Sequence, residues 1–196
     1  MMDNTIESII NFFKIEYPYL QLEDMLQIAA HSKIRTLEPG ETLVKFNQIY
    51  GNVVYVVEGL LKAFYINQEG AEVIYSFEQE GSISGNWYQT LLKRPSTVSF
   101  QAIETTLVAE VDIQIIETIA AENINIARAY NSVMKKMLAD TLLQLTTFIN
   151  EKPEARYLLF LEENPKLQSR VSQKNIASYL GISPVSLSRI KKRLNL

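Results

Sequence analysis

The groups in this 196-residue chain that could do chemistry are concentrated between residues 170 and 194, and they are hydrogen-bond donors and cations rather than nucleophiles. The stretch reads Arg170-Val-Ser-Gln-Lys-Asn-Ile-Ala-Ser-Tyr-Leu-Gly-Ile-Ser-Pro-Val-Ser-Leu-Ser-Arg-Ile-Lys-Lys-Arg-Leu194. Ser172 is placed to cap a short helix whose inward face is Ile176, Ala177 and Leu180. Gly181 follows, the residue that enters positive φ without steric cost. Ser183 caps a second helix, and Pro184 occupies its first turn, where no amide donor is needed. Leu187, Ile190 and Leu194 recur at three and four residues and turn inward. Ser186, Ser188, Arg189, Lys192 and Arg193 are left on or near the outer side. Two short helices crossing over a small residue and a tight glycine turn make a helix-turn-helix.

Charge indicates what such a face would meet. From Pro165 to Leu196 the chain carries seven basic residues (Lys166, Arg170, Lys174, Arg189, Lys191, Lys192 and Arg193) and no acidic one, whereas the other 164 residues hold 12 basic against 22 acidic side chains. An acidic body ending in a +7 segment is the asymmetry expected of a small module that contacts phosphates. A basic but merely solvated surface helix is the bland alternative; caps, turn, apolar spacing and charge agreeing at one place favour a DNA-binding module.

Composition removes other classes. There is no cysteine, so disulfides, thiolate iron–sulfur clusters and zinc-thiolate sites are excluded, in keeping with a reducing, cytoplasmic setting. The single histidine, His31, cannot make a metal site unaided, and a structural or surface role is expected for it. No P-loop or nucleophile-elbow spacing occurs, so no enzyme is expected. No run of eighteen apolar residues and no charged-then-apolar leader is present, so neither a membrane span nor export is expected. An apolar fraction of 47% supports a real core.

The elements that must position the module divide by texture. Residues 2–32 read as a helical lead-in broken near Pro18, with Ile6, Ile9, Ile10 and Phe13, then Leu22, Met25, Leu26 and Ile28, at helical spacing. From about Ile34 to Val111 come short β-branched and aromatic runs: Thr42–Phe46, Val53–Val57, Leu60–Ile66, Glu72–Phe77, Thr97–Ala102 and Leu107–Val111. Gly40, Gly51, Gly59, Gly70 and Gly81 punctuate them every eight to eleven residues, as turns between the strands of an all-β barrel or sandwich do. Residues 82–97 interrupt the strands with Gly85 and Trp87, a turn that could present amides to an anion or simply carry an aromatic into the core.

Ile113 to Ile149 reads as helix, continuous from about Ile124. Met134, Leu138, Thr141, Leu145 and Phe148 are spaced four, three, four, three, as in a coiled-coil seam, with Ile126, Tyr130, Val133 and Met137 on a second edge. Two apolar edges need two surfaces to cover them, and a homodimer is expected. Glu151-Lys152-Pro153 ends the helix; Glu154 to Glu163 is a further short helix, and Leu167–Val171 could be a strand. The domains expected are therefore 1–122, 123–150 and 151–196.

This order of elements resembles the Crp/Fnr superfamily over essentially the whole chain. The most specific parts are Ile176-Ala-Ser-Tyr-Leu-Gly-Ile-Ser-Pro-Val-Ser-Leu-Ser-Arg-Ile190 and Val57-Glu-Gly-Leu-Leu-Lys-Ala-Phe64. The resemblance implies an α+β architecture: an N-terminal jelly roll (double-stranded β-helix) of the cyclic-nucleotide-binding kind, a dimerisation helix and a C-terminal winged-helix-like helix-turn-helix, with any wing lying before that motif. It also implies a dimeric transcription regulator whose second helix enters the major groove of a palindromic double-stranded DNA operator, with RNA polymerase as a candidate further partner. Pro184, Val185, Ser186 and Arg189 then occupy base-reading positions, Ser188 lies beside them, and Arg189 is suited to guanine O6 and N7. Val185 stands where many members carry glutamate, so a different site is expected. Lys192, Ser172 and Gln173 should contact phosphates.

The effector cassette departs from the family. Cyclic-AMP-binding members follow a glycine with glutamate and later carry an arginine before Ser or Thr; here Gly85 precedes Asn86, and Ser96 and Thr97 stand at the arginine-Ser/Thr pair. The lost charge-assisted bond is worth roughly 1.5–3 kcal/mol. Arg94 lies two residues earlier, constrained by Pro95. Trp87, Tyr88 and Thr141 are candidates to line what pocket remains. Cyclic AMP is therefore not expected as the effector, and no cofactor is assigned. The alternative is a small-molecule-binding protein whose helix-turn-helix is vestigial.

Overall fold

The computed structural model describes residues 2–85, 87 and 92–195, with the side chains of residues 2–5 left aside. The chain forms two compact units: Met1–Ala63 with Phe77–Lys136, and Phe64–Ser76 with Met137–Leu196.

The first unit opens on α1 (Met2–Glu16) and α2 (Leu22–Ala29), separated around Pro18 where the ring cannot continue a helix. Among the described residues eight strands follow: β1 (Lys33–Leu37), β2 (Thr42–Val44), β3 (Asn52–Glu58), β4 (Leu60–Ile66), β5 (Glu72–Gln79), β6 (Ile83–Gly85), β7 (Ser99–Ala102) and β8 (Thr106–Asp112). They form two four-stranded sheets in the orders β1-β8-β3-β6 and β2-β7-β4-β5, and the β1–β8, β2–β7, β3–β6 and β3–β8 pairs are antiparallel. That interleaving is a jelly roll, which puts the alternate inward side chains of both sheets into one core. Leu37, Val54, Val56 and Val108 from one sheet meet Leu43, Val44, Leu61, Ala63, Phe100 and Ala102 from the other. Gly59, at φ +96°, carries the β3–β4 turn so close to Thr105 and Thr106 that no Cβ would fit. Beside it the Thr106 hydroxyl accepts the Leu60 N–H at 3.0 Å.

Two helices leave the last strand. Asp112 caps α3 (Ile113–Glu122), its carboxylate accepting the Gln114 N–H at 2.9 Å. Asn123 caps α4 (Ile124–Asn150) in the same way, accepting from the Asn125 N–H at 3.0 Å and the Ile126 N–H at 3.3 Å. Tyr17, Leu20, Met25, Ile119, Ile126 and Ala129 make a second buried cluster, between the lead-in helices and the start of α4.

The second unit holds the tip of the β4–β5 hairpin, the rest of α4, α5 (Pro153–Glu163), α6 (Leu167–Arg170), α7 (Gln173–Tyr179) and α8 (Pro184–Leu194). Its core is Tyr157, Phe160, Leu167, Val171, Ile176, Ala177, Leu180, Leu187 and Ile190. Two expectations change. Leu167–Val171 is not a strand: the Leu167 N–H bonds Asn164 and the Val171 N–H bonds Leu167, so two apolar side chains four residues apart are buried from one helical turn. Residues 82–97 are not wholly an interruption, since β6 pairs Ile83 with Tyr55 and Gly85 with Val53. No strand follows Asp112 among the described residues.

Candidate nucleic-acid interface

Local chemistry builds the two-helix motif. The Ser172 hydroxyl accepts the Asn175 N–H at 3.2 Å and the Ser183 hydroxyl accepts the Ser186 N–H at 3.1 Å, each satisfying an amide that the first helical turn leaves open. Pro184 occupies the first turn of α8. Gly181, at φ +67°, makes the turn, and the Ile182 N–H closes back on the Ala177 carbonyl at 3.0 Å. Ile176, Ala177, Leu180, Leu187 and Ile190 are buried, while Leu194 is half-buried.

Burial of that face leaves the other one in water. Pro184, Val185, Ser188, Arg189 and Lys192 are exposed and Ser186 is half-buried, its hydroxyl 2.9 Å from that of Ser183. Among the described residues Arg189 and Lys192 make no side-chain hydrogen bond or ion pair. Their cationic groups stand free for an anionic surface. Arg193 differs: its guanidinium is 2.7 Å from the Glu154 carboxylate, a surface pair of small worth that nevertheless reduces the charge offered outward. Exposed Ser172 and Gln173 stand at the start of α7, and the Lys191 ammonium nitrogen lies 3.5 Å from the side-chain amide oxygen of Gln173. With Pro165, Gln168 and Ser169 these two residues border an open concavity of about 330 Å³.

The effector candidates fall in two groups. Asn86 and Tyr88 lie outside the described residues. Gly85 is buried on β6, where an added Cβ would come 3.2 Å from the Asn52 carbonyl, and Trp87 is half-buried. Ser96 is buried, but its hydroxyl donates to the carbonyl of Val98, and its backbone pairs with Asn47 and Gln48. Arg94 and Thr97 are exposed. Thr141 is exposed on α4 and donates to the Met137 carbonyl of its own helix at 2.8 Å.

The β-unit also holds a buried carboxylate that sequence reasoning passed over. Glu110 shares the inward side of β8 with Thr106 and Val108; one of its oxygens accepts from the Tyr50 hydroxyl at 2.6 Å and from the Asn52 amide at 3.2 Å. Burial, reinforced by that bond to Glu110, pushes the Tyr50 phenol far above its ordinary range. The alternation of β8 alone would have flagged it, because a glutamate stands where an apolar residue is due.

The fold has counterparts among known proteins. Residues 34–123 match the family described as the cyclic nucleotide-binding domain. The transcriptional activator protein Anr of Pseudomonas protegens is 26% identical over 186 residues, 89% of this chain and 75% of that protein. The fumarate and nitrate reduction regulatory protein of Vibrio cholerae is 22% identical over 187 residues, 88% and 72% of the two chains. In fold the chain is similar to FixK2 from Bradyrhizobium japonicum, with TM-score 0.72, 20% identity and coverage of 84% of each chain. It is equally similar to the c-di-GMP-responsive global regulator CLP of Xanthomonas campestris, with TM-score 0.72, 17% identity and coverage of 89% and 92%.

Proposed function

We propose that this chain, which belongs to the Crp/Fnr superfamily of transcription regulators, binds a palindromic operator as a homodimer paired along α4, and reads it with α8. The observation that carries the proposal is the exposed face of α8: Arg189 and Lys192 unpaired beside Val185 and Ser188, on a segment without one acidic side chain. Arg189 supplies the bidentate contact to guanine, Val185 and Ser186 read neighbouring base edges, and Lys192, Ser172 and Gln173 hold phosphates. The domains serving this are 1–122 for the effector, 123–150 for pairing and 151–196 for DNA. RNA polymerase is the further partner of such a regulator at a promoter.

Cyclic AMP is not its effector. Ser96, where the family's arginine would stand, is buried with its hydroxyl turned back on Val98, and the nearest arginine, Arg94, is exposed. No charge is thus provided at that position for a cyclic phosphate.

Fluorescence anisotropy of the purified protein on its own promoter DNA, with and without cyclic AMP at two salt concentrations, tests both statements. Salt-sensitive binding indifferent to the nucleotide is the expected result. Binding only with cyclic AMP would overturn the effector statement, and no binding to any genomic fragment would leave the helix-turn-helix vestigial. Arg189→Ala should cost about 1–3 kcal/mol on the preferred site, and Lys192→Ala should lower the salt slope by about one.

A further inference from the structure

Arg156, near the start of α5, is bonded at both of its ends to other elements of the second unit. One terminal nitrogen donates to the Leu180 carbonyl at 2.9 Å, immediately before the turn glycine of the helix-turn-helix. The other lies 3.2 Å from the Glu151 carbonyl and, in a longer contact, 3.4 Å from the Phe148 carbonyl, where the last turn of α4 leaves acceptors open. The guanidinium carbon sits 4.8 Å from the centroid of the Phe148 ring. The same ring abuts the turn, since a Cβ on Gly181 would lie 3.2 Å from its edge. The remaining nitrogen, Nε, is buried without a partner, a cost accepted only where the other bonds hold the group in place.

A planar fork stacked on an aromatic ring and bonded on both sides fixes direction as well as distance, which a single ammonium cannot do. Here it fixes the end of α4 against the turn from which α8 departs. In a dimer paired along α4, the direction of α8 relative to α4 decides how far apart the two reading helices lie, and that separation must equal the distance between the half-sites. We infer that Arg156 is a positioning residue that sets the half-site spacing this regulator accepts, acting through Phe148 and Leu180 without touching DNA. The inference rests on the function proposed above.

The test is binding of the full chain to an operator series in which the half-site separation is lengthened or shortened by single base pairs. The wild type should lose about tenfold or more in affinity at each altered spacing. Arg156→Leu and Arg156→Lys should narrow that penalty to about threefold or less, with base preferences inside each half-site unchanged. A variant that is only less stable binds every spacing less well in the same proportion, so an unchanged ratio overturns the inference. Should Arg156→Leu fail to fold, Arg156→Lys and Phe148→Leu carry the test, because both keep the site filled. Wild-type protein that binds no DNA, or ignores spacing, overturns the functional proposal and this inference together; a spacing-selective wild type with equally selective variants overturns the inference alone.

Discussion

The hydroxyl of Ser178 stands in for a strand partner of Ile74. It accepts the Ile74 N–H at 3.0 Å and donates to the Glu72 carbonyl at 3.0 Å, while Gln144 donates to the Tyr75 carbonyl at 3.0 Å. β5 is an edge strand, and an edge presents main-chain groups that must find water or a substitute. Ser178→Ala should therefore expose the Ile74 amide and lower the stability of the second unit by about 0.5–1.5 kcal/mol per lost bond. Hydrogen exchange at Ile74 reads this directly. An amide equally protected in the variant would mean that the contact contributes nothing in solution.

Glycine substitutions separate close approach from backbone freedom. A Cβ at Gly59 would lie 2.5 Å from the Thr105 carbonyl, at φ +96°, whereas Gly40 and Gly70 share a positive φ with nothing within 4 Å, and Gly51 has neither constraint. Gly59→Ala should cost upwards of about 3 kcal/mol, Gly40→Ala and Gly70→Ala about 1–2 kcal/mol, and Gly51→Ala close to nothing. Thermal melting of the four variants gives the order. A Gly59→Ala melt matching that of Gly70→Ala would show that the backbone moves to admit the methyl group.

What could be read in the chain was what its neighbours in sequence decide. Ser172, Gly181, Ser183 and Pro184 act within four residues of themselves, so the helix-turn-helix was visible from spacing. Six of the described strands announced themselves by β-branched or aromatic runs, while β1, whose Lys33, Ile34, Arg35 and Thr36 are all exposed, and β6, three residues long with serine and glycine at two of them, did not. Asn123 illustrates the limit: its oxygen caps α4, but its amide is held by Asp24, 99 residues away. Phe148 shows another. Periodicity placed it on an apolar edge of α4, but only the fold shows that its ring lies against Arg156 and Gly181.

The Asp24 carboxylate makes the stability of the first unit depend on acid. Burial works to raise its pKa, but the bonds from the Asn123 side chain, the Gln21 N–H and the Asn125 side chain together outweigh it and hold the group below its usual 3.8. A group lowered by folding contributes stability above its unfolded value and loses that contribution as pH falls through the folded one. Wild type should therefore exceed Asp24→Asn in stability by a constant margin from neutral pH to about pH 5, and the margin should shrink below about pH 4. Denaturant titrations of both proteins from pH 7 to pH 3 measure it. A margin that persists undiminished at pH 3 would mean the carboxylate is not what holds Asn123 and Asn125.

The exposed stripe of α4 makes the last prediction. Leu138, Leu142, Leu145 and Ile149 recur at four, three and four residues and are 57%, 53%, 53% and 71% exposed. The seam read from the sequence shared Leu138 and Leu145 with this stripe but used Thr141 and Phe148 in place of Leu142 and Ile149. Thr141 bonds its own helix, and Phe148 lies under Arg156. Four large apolar side chains on one line of a helix form a contiguous patch of the kind that marks an interaction surface, and a second copy of α4 matches that line in length and spacing. Leu142→Glu would place a charge in the middle of the pair and should weaken self-association by about a hundredfold or more. Leu143→Glu alters an equally exposed leucine some 100° around the helix and should leave the dimer intact. Sedimentation equilibrium of the two variants over a range of concentrations decides between them. If Leu143→Glu dissociates while Leu142→Glu does not, the helices pair along another face, and the half-site geometry assigned to Arg156 would have to be rebuilt on that face.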